Sequence, residues 1–266
     1  FARDAVLHGA LDQYVDTLKT HRGVATVDAA FLREIEGWRD TLARDIARRN
    51  PGLGQRDLNF AVQMTIDRVI FLRMAEDRGI EPYGELLALG NGANVYERLA
   101  VMFKQADDRY NSGLFHFKRE RGRDAPDDLT LDLRVGDEPL KAIFRSLYYP
   151  DSPYEFSVLP IEILGHVYEQ FLGKVITLTP DHGAVVEEKP EVRKAGGVYY
   201  TPTYIVDYIV EHTIGKLLDG KTPRQVAGGG KAAPLRVVDP ACGSGSFLIG
   251  AYGYLLDWYR RRYVEE

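Results

Sequence analysis

One stretch constrains this chain more than any other: Leu235-Arg-Val-Val-Asp239-Pro-Ala-Cys-Gly243-Ser-Gly245-Ser-Phe-Leu248. Val237 and Val238 suit a short buried parallel strand. The glycines that follow suit a tight turn. From Ser246 onward, Phe247, Leu248, Ala251, Leu255, Trp258 and Tyr259 recur at helical spacing. Strand, glycine turn and helix in that order form the opening unit of a doubly wound, Rossmann-like α/β sheet. The turn has a definite chemistry. Gly243 and Gly245 carry no side chain, so a ligand can lie against the backbone. The first turn of the following helix offers N–H groups and a partial positive charge suited to a carboxylate or phosphate. Asp239, at the carboxyl end of the strand, can accept from an ammonium. A zwitterionic amino acid fits that pairing. Two commoner nucleotide sites are excluded: Leu248 stands where a dinucleotide fingerprint needs its third glycine, and no Gly-Lys-Ser/Thr follows for a P-loop.

A second signal lies upstream, in Gly197-Val-Tyr-Tyr200-Thr201-Pro202-Thr-Tyr-Ile-Val-Asp-Tyr-Ile-Val. Thr201 suits an N-cap and Pro202 the first helical position. Ile205, Ile209, Val210, Thr213, Leu217 and Leu218 are expected to form the buried stripe.

The chain before this point reads as helical. Phe31, Ile35, Trp38, Leu42 and Ile46 mark one amphipathic helix, ended by Asn50-Pro51-Gly52. Leu58, Val62, Ile66, Val69, Ile70, Leu72 and Met74 mark a second, with Gly79 as its stop. Further helices are expected over Val95 to Ala106, Pro139 to Tyr149 and Pro160 to Phe171. Residues 111–135 read as an exposed loop carrying Lys118, Arg119, Arg121 and Arg123, with four acids close behind. Residues 173–195 read as a hairpin or irregular linker. The expected organisation is a mainly α region over residues 1–195, then the beginning of an α/β domain over 196–266.

Composition narrows the partners. The chain has 34 Lys and Arg against 39 Asp and Glu, a net charge of −5. That balance counts against a generally basic nucleic-acid grip, though not against one basic face. The single cysteine, Cys242, excludes an internal disulfide or a Cys-rich metal site. No apolar run approaches the roughly 20 residues of a membrane span, so a cytoplasmic setting without a membrane partner is expected.

Asp239-Pro-Ala-Cys-Gly-Ser-Gly245 closely resembles motif I, the cofactor-binding motif of amino-methylating DNA methyltransferases. Tyr200-Thr201-Pro202 resembles their motif X, which touches the methionine end of the cofactor. Motif X followed by motif I is the order of the gamma class. Asn111-Ser-Gly-Leu-Phe115, Leu164-Gly-His-Val-Tyr168-Glu169-Gln-Phe-Leu172 and Ile66-Asp-Arg-Val-Ile-Phe-Leu-Arg73 resemble segments of type IIG restriction–modification enzymes. There a helical connector precedes the methyltransferase, and one polypeptide cuts and methylates DNA.

The resemblance implies adenine-N6 methylation of double-stranded DNA with S-adenosylmethionine as cofactor. It implies cofactor contacts from Tyr200, Thr201, Pro202, Asp239, Pro240, Ala241, Cys242, Gly243, Ser244 and Gly245. A magnesium ion is implied only where a nuclease accompanies the chain. The family's catalytic Asp/Asn/Ser-Pro-Pro-aromatic motif is expected beyond residue 266, so no catalytic residue is assigned and the 266 residues alone are expected to be inactive. Asp151-Ser152-Pro153-Tyr154 is a decoy, because Ser replaces the first proline and no buried strand precedes it. Three alternatives remain: a methyltransferase acting on RNA or protein, a stand-alone phage-defence methyltransferase without a nuclease, and a helical interaction module with a degenerate cofactor site.

Overall fold

A computed structural model describes residues 27–110, 112–122, 125–152, 154, 156, 165, 168–169, 172–189, 192, 201–229 and 233–265. The chain divides into two units. The first comprises residues 1–159 and 174–193, the second residues 160–173 and 194–266.

In the first unit, the stripe from Phe31 to Ile46 folds as expected. Helix α1 (Val27–Arg49) buries Phe31, Ile35, Trp38, Leu42 and Ile46. Helix α2 (Gln55–Asp77) packs on it and buries Leu58, Val62, Ile66, Val69 and Leu72. Its end is a Schellman motif: Gly79 takes φ +68°, its N–H donates to the Glu76 carbonyl, and Ile80 N–H donates to the Ala75 carbonyl. Then follow α3 (Glu85–Leu89), α4 (Val95–Tyr110) and α5 (Asp137–Ser146). Asp137 closes the start of α4, its carboxylate accepting from the N–H groups of Asn94 and Val95 at 3.1 and 2.9 Å.

Two buried arginines on α2 organise this unit. Arg68 donates to the Leu114 carbonyl at 2.9 Å, the Thr130 hydroxyl at 2.6 Å and the Asp127 carboxylate at 2.7 Å. Its guanidinium also lies over the Phe117 ring. The segment expected as an exposed loop is therefore pinned: Phe115 and Thr130 are fully buried, while Lys118, Arg119 and Arg121 remain exposed. Arg73 pairs with Asp77, donates to the Leu147 carbonyl at 2.9 Å and lies over Tyr148. Glu76 beside it accepts from Gly84 N–H, Leu86 N–H and the Tyr148 hydroxyl.

Residues 174–188 form a hairpin. Strands β1 (Lys174–Leu178) and β2 (Ala184–Glu188) pair antiparallel, with Ile176 opposite Val186. It is tied to the helices through side chains. Asn59 of α2 exchanges two hydrogen bonds with the backbone of Ile176, at 2.7 and 2.8 Å, and Arg39 of α1 donates to the Lys174 carbonyl.

Asp67, also on α2, gives this unit a pH dependence. Burial pushes its carboxyl up to about 6, against the opposing pull of Gln63, Arg68 and Arg39. The folded form then holds the proton more tightly than the unfolded chain. Stability therefore falls as pH rises from about 4 through 6, and stays at the lower level above. Asp67→Asn is expected to add about 3 kcal/mol at pH 8 and nothing at pH 4, since the carboxyl rises from 3.8 to about 6 and one pKa unit is worth about 1.4 kcal/mol. Urea unfolding at the two pH values checks this.

The second unit is built on helix pairing. Helix α6 (Thr203–Val210) runs through a π-helical turn (Glu211–Gly215) into α7 (Lys216–Leu218), and α8 (Pro223–Val226) and the long α9 (Ser246–Glu265) follow. Val206, Val210, Ile214, Leu218, Val226, Ala251 and Trp258 form its core. The stripe expected from α6 to α7 thus holds at Val210 and Leu218 and is otherwise out of phase. Ile205, Ile209 and Leu217 are exposed, and the buried positions advance by fours from Val206. The segment is apolar nearly all round, so periodicity alone did not fix its buried face.

Two glycines let α9 lie close to its partner. A Cβ on Gly250 would stand 2.7 Å from Val206 Cγ1, and one on Gly215 would stand 2.7 Å from the Tyr254 hydroxyl. Gly250→Val is expected to destabilise this unit by about 1–3 kcal/mol through overpacking, read as a lowered melting temperature.

Candidate S-adenosylmethionine site

The core contacts set the direction of the two helices. Val206 meets α9 at Gly250, and Gly215 meets it further along at Tyr254. The Tyr259 hydroxyl then reaches the Pro223 carbonyl. Positions advance together along both segments, so α6 and α9 run parallel. Val206 follows Pro202 by four residues and Gly250 follows Gly245 by five. At about 1.5 Å per residue, the Thr201-Pro202 turn and the glycine turn lie at one end of the pair, at nearly one level.

The start of α6 differs by one residue from the expectation. Pro202 is the N-cap, with φ −57° and ψ 142°, and its carbonyl accepts from Ile205 and Val206 N–H. Thr201 therefore precedes the cap, and its side chain does not serve it. Proline's fixed φ suits the extended cap as well as the first helical position. Tyr200 lies outside the described residues.

The glycine turn has the backbone that its sequence calls for. Gly243 takes φ +54° and Gly245 φ +80°, conformations that a side chain strains. Gly245 N–H donates to the Cys242 carbonyl at 2.7 Å, and the Gly245 carbonyl accepts from Ile249 N–H at 2.8 Å, so α9 begins directly on the turn. The N–H groups of the first turn of α9 have no intrahelical acceptor. Asp239 orders the entry: its Oδ1 accepts from Ala241 N–H at 3.0 Å. Pro240, Ala241, Cys242 and Gly243 are exposed, and Asp239, Ser244 and Gly245 are half-buried. This is an open turn that a ligand can reach.

The strand before the turn is corrected by the structure. Residues 233–239 form no strand and pair with none among the described residues; Leu235 N–H donates to the Val226 carbonyl at 3.0 Å instead. Val238 is 86% exposed where burial was expected. A parallel strand takes its burial and hydrogen bonds from neighbours on both sides, and none of the described residues supplies one.

One side chain at the turn had no individual role assigned from sequence. Glu169 Oε1 accepts from Ser244 N–H at 3.3 Å and from the Ser244 hydroxyl at 3.0 Å. A Cβ on Gly243 would stand 2.8 Å from the same oxygen. The signal was present only as Tyr168-Glu169 inside a stretch that resembled type IIG segments. An acid on a helical stretch carries no mark that it meets a turn 75 residues onward.

Other candidates play no part in this turn. Ser152 of the decoy is buried, and Tyr154 stacks edge-on against Phe31 in the first unit. His212 stacks on Tyr208, and His166 lies outside the described residues. Among the described residues no cluster of His, Cys, Asp and Glu suits a metal ion, and no helix is long and apolar enough to cross a membrane.

Comparison with known proteins finds two matches. Residues 160–262 match the N-6 DNA methylase family, a span that begins with the Glu169 segment and takes in both turns. The whole chain aligns with the type II restriction enzyme and methyltransferase RM.Eco57I of Escherichia coli. They are 30% identical over 263 residues, which is 99% of this chain and 25% of that protein. Part of the chain is thus similar to the N-6 DNA methylase family, and nearly all of it to one stretch of a type II restriction enzyme and methyltransferase. The chain spans a quarter of the length of that relative. No solved structure matches the chain.

Proposed function

We propose that this chain supplies the S-adenosylmethionine-binding part of a site-specific adenine-N6 DNA methyltransferase of the type IIG kind. The observation that carries the reading is the open glycine turn at the start of α9, with Asp239 before it and the Thr201-Pro202 turn at the same end of the helix pair. The donor set fits the cofactor. The N–H groups of the first turn of α9 take its carboxylate. Asp239 accepts from its ammonium. Gly243 and Gly245 give it backbone to lie on.

S-adenosylmethionine, when bound, supplies a methyl group made electrophilic by its sulfonium. The chain's own residues hold that group in place rather than move protons. Attack by an adenine amino group is a displacement in which alignment is the main demand. The target base is read out of the helical stack, as for other enzymes that act on a base. Val237 and Val238 take their place as a strand of a doubly wound sheet, whose other strands would cover them. The alignment with RM.Eco57I favours a nuclease in the same protein, and magnesium belongs to that activity alone.

The test is transfer of labelled methyl from S-adenosylmethionine by the full-length protein. Label is expected in duplex DNA as N6-methyladenine and absent from a duplex of guanine and cytosine only. Equal labelling of both duplexes would overturn the adenine assignment.

A further inference from the structure

Glu169 brings a second carboxylate to the glycine turn, and its position has consequences for which ligand the turn prefers. One oxygen, Oε1, accepts from both the N–H and the hydroxyl of Ser244 and stands 2.8 Å from where a Cβ on Gly243 would sit. Asp239 stands four residues before Gly243, at the entry to the same turn. The turn is therefore flanked by two acids, with no basic residue between Asp239 and Gly245. The N–H donors of α9 answer one negative charge on a ligand. Two carboxylates favour a ligand with more than one positive charge.

S-adenosylmethionine carries an ammonium and a sulfonium against one carboxylate. The demethylated product, S-adenosylhomocysteine, has lost the sulfonium charge. The two molecules are otherwise nearly the same in shape, so charge is the main handle for telling them apart.

We infer that Glu169 is a specificity residue of the cofactor site: it fixes the glycine turn through Ser244, and its charge favours the cationic cofactor over the neutral-sulfur product. This rests on the cofactor-site reading above. The residue is a positioning and charge-selecting group that touches no reacting atom. Its effect is to help product leave and fresh cofactor enter.

Glu169→Gln separates the two roles. The amide oxygen still accepts from Ser244, so the turn is kept, but the charge is gone. Glu169→Ala removes both.

Calorimetric titration of the full-length protein with S-adenosylmethionine and with S-adenosylhomocysteine reads the result. The wild-type protein is expected to prefer the cofactor. Glu169→Gln should lose about tenfold in that preference, with affinity for the product little changed and the melting temperature held. Glu169→Ala should weaken both ligands. Equal weakening of both ligands by Glu169→Gln, or no change in either, overturns the inference while leaving the cofactor site standing. A wild-type protein that binds neither ligand overturns the site itself.

Discussion

Asp239→Ala is expected to weaken S-adenosylmethionine binding by about 10- to 150-fold. A hydrogen bond between charged partners is worth about 1.5–3 kcal/mol. Asp239 is half-buried at the entry of the turn, and its second carboxylate oxygen is open to a ligand while Oδ1 receives Ala241 N–H. Alanine deletes the acceptor for the cofactor ammonium and the bond that orders Pro240 and Ala241. Asn at the same position keeps the turn contact and loses only the charge, so it should fall between the two. Methyl transfer should decline in parallel at low cofactor concentration and recover partly when the cofactor is raised. Titration calorimetry on the three proteins checks the order. Unaltered affinity in Asp239→Ala would place the ammonium elsewhere.

Arg68→Met is expected to cost the first unit about 3–5 kcal/mol. Removing one partner of a buried ion pair leaves the other charge buried and unanswered. Arg68 is fully buried and holds three partners from two segments, Leu114, Thr130 and Asp127. Burial acts to raise the Asp127 carboxyl. The Thr130 hydroxyl and N–H, together with Arg68, outweigh it and hold the carboxyl below its usual range. That contribution to stability is present above the ordinary carboxylate range and is lost as pH falls through the lowered value. Arg68→Met with Asp127→Asn should therefore cost less than the two single changes summed. Urea unfolding of the single and double variants measures the coupling. Simple additivity would mean that the pair contributes little.

Much of this molecule was legible in its residues, and the exceptions have physical causes. The α1 and α2 stripes were plain because each has one apolar face and a punctuated end, at Asn50-Pro51-Gly52 and at Gly79. The glycine turn was plain because positive φ and backbone exposure restrict the residues that can serve. The face of α6 was not, because Ile205, Val206, Ile209 and Val210 are all apolar and only the packing of Gly250 against Val206 selects among them. Burial of Val238 was misjudged because strand burial belongs to the neighbours, not to the strand. Arg68, Arg73 and Glu76 carried no individual assignment from sequence, yet they form the polar frame of the first unit, since partners such as Leu114, Asp127, Thr130, Leu147 and Tyr148 come from later segments of the chain. Glu169 was hidden for the same reason.

A ligand whose amino-acid end covers the glycine turn must shield Cys242. Its thiol is exposed in the middle of that turn, and it is the one cysteine of these 266 residues. The measurement is the rate at which iodoacetamide alkylates Cys242, followed by peptide mass spectrometry, with and without S-adenosylmethionine. Saturable protection by the cofactor is expected, with little protection by methionine or adenosine alone. Alkylation at an unchanged rate under cofactor concentrations that saturate methyl transfer would contradict a cofactor site at this turn.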